Sequence, residues 1–226
     1  MPGDGWAVKP FVDAGLGTLR RTAAEAEQTR QAILKAARDA FAEHGFAAAS
    51  TSAIAAAAGV TRGALYHHFA EKTELFRAVF VEIEHELNET VVSAALAETD
   101  SLSAFVAGCG AVLDFAVRPD YRRIVVVDAP AVLGVAEWHA IDAAIGLTSM
   151  DAGLAALDRD GLLGWSPSPA LTVLMFGALT EATLALARGG GPSRDELLDE
   201  FVALVTSGRG GRAATPTARR SGRRAR

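Results

Sequence analysis

The residues best suited to chemistry lie in one short run, Thr61-Arg62-Gly63-Ala64-Leu65-Tyr66-His67-His68, with Lys72 just beyond. Arg62 carries a planar fork of donors that matches the O6 and N7 acceptors of guanine in a DNA major groove. Gly63 and Ala64 are small enough to let backbone approach a large ligand. Tyr66 adds a hydroxyl, and His67 and His68 add two imidazoles. The run holds no acid, so it suits a phosphate-rich, base-lined surface. Hydrolytic or group-transfer chemistry has no such support. No Ser-His-Asp or Gly-x-Ser-x-Gly arrangement occurs, and Gly189-Gly190-Gly191-Pro192 lacks the Gly-Lys-Ser/Thr of a phosphate-cradling loop. No enzymatic activity and no cofactor are therefore expected. His67 and His68 point about 100° apart on a helix and cannot share a metal. His85 and His139 stand among acids (Glu82, Glu84, Glu86, Glu89; Glu137, Asp142). That pattern suits oxygen–imidazole ligation and equally suits solvated or core histidines, so no metal site is assigned.

Helices must position these side chains. Ser50, Thr51 and Ser52 are candidate N-caps for a short helix over 53–58 with Ile54 as its buried anchor. Gly59 stops it, and Thr61 caps a second short helix over 62–69. Helix, Gly-containing turn, helix is the helix-turn-helix arrangement. Ile54 and Ala55 face Val60, Leu65 and Phe69, with Phe41 packing behind. On periodicity alone, a plain helical hairpin with Tyr66 and Phe69 as core aromatics fits as well. Upstream, Thr22-x-x-Glu25 reads as a capping box. Ile33, Leu34, Ala37, Phe41 and His44 then share one helix face, which Gly45 ends. Downstream, a long periodic stretch runs from Lys72 to about Glu98, followed by helices near 101–118, 121–128, 131–160, 168–188 and 193–206. The apolar run Ile124-Val125-Val126-Val127 is too short to support a sheet. The expected class is all-α.

Composition sets the outer bounds. The chain has 226 residues, half of them hydrophobic, and a net charge of −5. That supports a sizeable core. No unbroken apolar run reaches the roughly 18 residues of a membrane span, and no apolar leader begins the chain. A cytoplasmic protein without membrane contact is expected. The lone Cys109 excludes an internal disulfide and a cysteine-based zinc finger, and its apolar neighbours mark it as a buried thiol. Residues 81–207 carry 19 acids against 6 bases, whereas residues 208–226 carry seven arginines and no acid. A strongly acidic segment is repelled by phosphate. DNA contact must then come from the first 80 residues or from the tail. Four parts are expected: a flexible arm over 1–21, a helix-turn-helix domain over 22–80, an effector and dimerisation domain over 81–207, and a disordered Arg-rich tail over 208–226.

The string from Val60 to Phe69, with Glu71-Lys72-Thr73-Glu74-Leu75-Phe76 after it, closely resembles the TetR family of bacterial regulators. So do Thr29-Arg30, Ile33-Leu34, Ala36-Ala37, Phe41, Gly45, Ile54-Ala55 and Ala58-Gly59-Val60. Within the family the likeness is to the multidrug-efflux repressor branch. It is dense over residues 22–80 and thins beyond 85. The resemblance implies a homodimeric repressor that binds a pseudopalindromic double-stranded operator and is released by a hydrophobic small molecule. It implies that Ser50 and Thr51 touch phosphate, that Arg62, Ala64 and Tyr66 lie against bases or adjacent backbone with Gly63 allowing close approach, and that Thr61, His67, His68 and Lys72 hold phosphates. Ala49 and Ala53 depart from the family's polar residues, the first at the expense of one phosphate contact. The family also implies a ligand cavity, for which Phe105, Cys109, Leu113, Trp138, Met150, Met175 and Phe176 are candidate walls. Asp114, Asp128, Glu137, Asp142 and Glu181 are acids available to face it, which favours a cationic, aromatic guest. The competing readings are a helical architectural protein that binds DNA without an effector, and an enzyme using the C-terminal cavity.

Overall fold

A computed structural model of the chain describes residues 13–207, with side chains from residue 23 onward. The arm residues 1–12 and the tail 208–226 lie outside the described residues. Helix α1 spans Asp13–Ala48, α2 Thr51–Ala57, α3 Arg62–His68, α4 Lys72–Leu96 and α5 Ser101–Ala116. Then come α6 (Pro119–Tyr121), a π-helical turn (Arg122–Asp128) and α7 (Ala129–Val132). The last three are α8 (Val135–Arg159), α9 (Pro169–Arg188) and α10 (Arg194–Thr206). No strand occurs among the described residues, so the all-α expectation holds.

Four local expectations change. First, α1 starts at Asp13, so Thr22 and Glu25 lie inside the helix rather than at its cap. The intervening Leu, Arg and Ala residues are good helix formers and carry the helix back. Second, the Ile124–Val127 run is a π-helical turn with Ile124 and Val125 buried. Third, the helix expected near 131–160 begins only at Val135, after a break at Gly134, while Pro130 sits in the first turn of α7, where a missing N–H is tolerated. Fourth, α8 and α9 are each long and apolar enough to cross a membrane by length and composition. Alanine raises their hydropathy between bulkier residues. Their large side chains form inward stripes, Met150, Leu154 and Leu157 on α8 and Leu171, Met175 and Leu179 on α9.

The chain forms two compact units, and neither is a continuous segment. The first comprises residues up to Leu87 together with Phe115–Asp142. The segment 115–142 therefore groups with the helix-turn-helix residues rather than with the following helices. The core of this unit gathers Ile33, Leu34, Ala37 and Phe41 of α1, Ile54 of α2, Leu65 of α3 and Leu75, Phe76, Val79, Phe80 and Ile83 of α4, all at most 2% exposed. Phe41 and Phe46 each meet Phe76 edge-on at 5.2 Å between ring centroids. Four ionic side chains alternate across α1, α4 and α6. Arg38 bonds Glu86 and Asp120, each at 2.6 Å, and Arg118 bonds the same two at 2.7 and 3.0 Å. Burial alone would raise both carboxyls, but the hydrogen bonds from the two arginines overcome it and hold Glu86 and Asp120 below their ordinary values. Nearby, the Phe46 N–H donates to Asp128 Oδ2 at 2.7 Å, and Arg123 Nε donates to the same oxygen at 3.2 Å. Arg123 lies flat against Gly45, which has φ +74°; a Cβ there would collide with the guanidinium. The kink within α1 at Gly45 thus rests on a residue that supplies both a positive φ and an open surface.

The second unit comprises Asn88–Asp114 and residues from Ala143 onward. Its core contains Phe105, Cys109 and Leu113 of α5, the three α8 residues named above, Leu171, Met175 and Leu179 of α9, and Leu198, Phe201 and Val205 of α10. Phe105 and Phe201 stack at 6.1 Å. Ser193 and Glu196 cap α10 reciprocally. Arg194 then grips Asp114 with two bonds, at 2.8 and 2.9 Å.

Candidate nucleic-acid interface

Thr61 makes α3 possible: in extended conformation, its Oγ1 accepts the Ala64 N–H at 3.1 Å. The preceding turn is closed by the Gly59 N–H on Ala56 O and the Val60 N–H on Ala55 O, with Gly59 at φ +70°. Such a reversal needs a residue that tolerates the left-handed region. Leu65 and Phe69 then turn inward, and Arg62, Gly63, Tyr66 and His67 are left exposed.

The outer surface of α3 is internally braced. The Arg62 guanidinium lies over the Tyr66 ring, 5.4 Å from its centroid. The Tyr66 hydroxyl pairs with Thr51 Oγ1 at 3.3 Å. That bond, aided by Arg62, lowers the Tyr66 pKa. The two imidazoles of His67 and His68 stand edge to face at 5.8 Å. A Cβ on Gly63 would meet nothing nearer than Thr61 Oγ1 at 3.8 Å, so the outward side there is open to a close partner. Ser50 sits at the N-cap of α2 without a side-chain cap bond, its hydroxyl exposed. Lys72 Nζ lies 4.6 Å from the Phe46 ring centroid and 3.5 Å from Ala47 O at the start of α4. Glu74 accepts the Ala70 N–H at 2.6 Å and caps that end. Ala49 is 3% exposed, so a residue that the resemblance assigns to the phosphate side is here part of the core.

Ser50, Thr51, Thr61, Arg62, Gly63, Ala64, Tyr66, His67, His68 and Lys72 are thus gathered on α2, α3 and the start of α4. The expected ligand-wall residues are not gathered in this way. Phe105, Cys109, Leu113, Met150 and Met175 are buried together in the second unit, and Phe176 packs against them. Trp138 belongs to the first unit. Four of the five candidate acids are paired: Asp114 with Arg194, Asp128 with Arg123, Glu137 with Arg77 and Glu181 with Arg188. Sequence reasoning placed Glu84 only among the acids around His85, whereas it is 3% exposed on α4. Its signal was present. Phe80 and Leu87 place position 84 in the apolar stripe, where an acid is out of place.

A short helix capped by Thr61, presenting a basic and acid-free outer face across a Gly turn from a second helix, defines a helix-turn-helix DNA-binding class. Residues 33–79 match the model of bacterial regulatory proteins of the tetR family, and residues 102–208 match that of the tetracyclin repressor-like C-terminal domain. A TetR-family transcriptional regulator from Pectobacterium atrosepticum is 35% identical, with 80% of this chain and 92% of that one covered at a TM-score of 0.66. The chain belongs to the TetR family of transcriptional regulators. The transcriptional repressor BepR of Brucella suis is 43% identical over 77 residues, which cover 34% of this chain and 37% of BepR. The match therefore spans little more than a third of that relative's length. AibR, solved with isovaleryl coenzyme A and operator DNA, shares the fold at a TM-score of 0.56 with 18% identity over 79% of this chain and 98% of that one.

Proposed function

We propose that the protein is a homodimeric transcriptional repressor that binds a pseudopalindromic operator and is released by a hydrophobic small molecule. The observation that carries this reading is the outer face of α3. Arg62 is exposed and held over Tyr66, Gly63 is open, and no acid interrupts the surface. In this reading Arg62 reads a guanine, and Ala64 and Tyr66 lie against bases and sugar. Ser50, Thr51, Thr61, His67, His68 and Lys72 fix the register on phosphates. Thr61 can cap α3 with its oxygen lone pair and still donate its hydroxyl hydrogen.

One head covers a few base pairs, so length of readout calls for two. Val173 and Leu174 are 57% and 66% exposed on α9, and Gly177 beside them is open. An apolar stripe with a bare backbone suits close crossing by the same helix of a second copy. AibR, of the same fold, was solved with both a ligand and operator DNA, which supports a common plan of two sites on one chain. Such a regulator works in the cytoplasm, where its operator lies. Effector coupling needs modest energy: a 10-fold loss of operator affinity requires about 1.4 kcal/mol of preference for the DNA-incompetent state.

A gel shift of the full chain on the DNA upstream of its own gene, in excess nonspecific competitor, tests the reading. A shift that survives competition, with a footprint of two half-sites about one helical turn apart, is the expected result. A shift abolished by any competitor duplex points to an architectural role and overturns it.

A further inference from the structure

Two hydroxyls from different helices meet on the outer face of the helix-turn-helix. Thr51 opens α2, and its Oγ1 lies 3.3 Å from Tyr66 Oη on α3. Ser50 beside it makes no cap bond, and Thr51 turns across to the other helix. Tyr66 is 37% exposed. A bond between two hydroxyls at a wet surface adds little stability, because water can replace either partner. What this bond does is fix a ring. The Arg62 guanidinium lies over that ring, 5.4 Å from its centroid. Helix α3 reads Arg-Gly-Ala-Leu-Tyr-His-His and contains no acid, so Arg62 has no carboxylate on its own helix to hold it. Gly63 offers no side chain to lean on. The support for Arg62 is the Tyr66 ring, one turn on at the i+4 position.

We propose that Thr51 is a positioning residue for base reading: its hydroxyl donates to Tyr66, whose ring then holds Arg62 with its donor fork ready for a guanine. The proposal rests on the repressor reading above and deepens it by giving Thr51 a partner other than DNA. A threonine hydroxyl has one hydrogen, and phosphate oxygens only accept. A Thr51 that donates to Tyr66 cannot also donate to phosphate. Its part in the register therefore runs through Tyr66, whose own hydrogen stays free for the DNA backbone. A loose arginine loses side-chain freedom when it grasps a base, and one already held over a ring loses less. Phosphate accepts a mobile guanidinium from many directions, whereas O6 and N7 of guanine demand one geometry. Holding Arg62 thus raises discrimination between sequences more than affinity for DNA in general.

The ionisation of Tyr66 gives the bond a readout that needs no DNA. A donor to Oη favours the phenolate and lowers the pKa, whereas an acceptor from the phenol raises it. The Tyr66 pKa is lowered, by Thr51 first and Arg62 second, with burial opposing and the charges of Arg62 and Lys72 assisting. That is the sense expected of Thr51 as donor. The chain has two tyrosines. The other, Tyr121, is pushed well up by burial and then by Glu84 and Asp142. The first phenolate to form as pH rises is therefore that of Tyr66.

Two measurements on the full chain test the proposal. The first is spectrophotometric titration of phenolate without DNA. The wild type should ionise its first tyrosine below 10. Thr51→Val should move that step upward, Thr51→Ser should return it, and Tyr66→Phe should erase it. The second is binding to three duplexes: the footprinted DNA from upstream of its own gene, the same duplex altered at the base pair whose preference Arg62→Ala relaxes, and random DNA. Thr51→Val should reduce discrimination between the first two about 3- to 10-fold, the worth of one neutral hydrogen bond, with random DNA bound as before. Thr51→Ser should recover it. Tyr66→Phe also gives up the phenol's hydrogen and should lose at least as much. Adding Thr51→Val to it should cost nothing more, since the bond is already cut. An unmoved first titration step, an equal loss on every duplex, or losses that add in the double variant overturns the proposal, the last by making Thr51 and Tyr66 separate contacts. Absence of any operator shift, with the titration moved as expected, overturns the repressor reading and the base-reading role with it, while the Thr51–Tyr66 bond stands.

Discussion

At the scale of single residues, Arg62 and Lys72 separate base reading from phosphate binding. Arg62→Ala should cost roughly 1–3 kcal/mol on the operator and relax preference at one base pair per half-site. Lys72→Ala should weaken all duplexes alike and flatten the salt dependence by about one unit. Binding measured on operator and random DNA at several salt concentrations checks both, and equal behaviour of the two variants would refute the assignment. Glu84 carries a second prediction. Its carboxyl rises from 4.5 to about 8 through burial first and Asp142 second, so folding favours the protonated form. That stabilisation is complete below about pH 4.5 and is lost as pH rises through about 8. Between pH 6 and 9 the wild type should lose roughly 2–3 kcal/mol relative to Glu84→Gln, as urea melts of both would show. The α3 face was legible from residue types because exposed donors at fixed spacing need little tertiary context. For Glu84 the stripe showed only an acid out of place, and its setting emerges once Tyr121 and Asp142 arrive from distant parts of the chain.

Among the elements, the α1–α4 pattern followed from periodicity, caps and glycines, since those signals act within a few residues. The π-helical turn did not. Ile124 to Val127 suit a strand, a helix or a wide turn equally, and what decides is Asp128 reaching the Phe46 N–H while Arg123 lies on Gly45. Asp128→Ala should leave that N–H without its acceptor and cost roughly 1–3 kcal/mol. Gly45→Ala should cost a similar amount, because it meets both a left-handed φ and the Arg123 guanidinium. Chemical denaturation of each variant measures this. If either change is neutral, the contact between the end of α1 and the π turn does not hold the kink at Gly45.

For the whole molecule, the sequence offered more apolar residues on α9 and α10 than an interface uses. Leu171, Leu198, Phe201 and Val205 serve their own unit's core, and α10 turns Glu196, Asp199 and Glu200 outward. The proposed dimer contact therefore rests on the Val173–Leu174–Gly177 stripe of α9. Leu174→Glu should shift sedimentation from dimer to monomer at micromolar concentration and weaken operator binding at least 10-fold by loss of the second head. An unchanged dimer would place the interface elsewhere. Cys109 lies deep in the core of the same unit, 5% exposed, with burial pushing its thiol up to about 12. Almost no thiolate forms at neutral pH, so alkylating reagents and mild oxidants should pass the native fold by. The sole sulfhydryl is therefore a clock built into the protein: its rate of maleimide labelling reports how often the surrounding helices part. Slower labelling on adding operator or effector would register binding with no engineered probe at all.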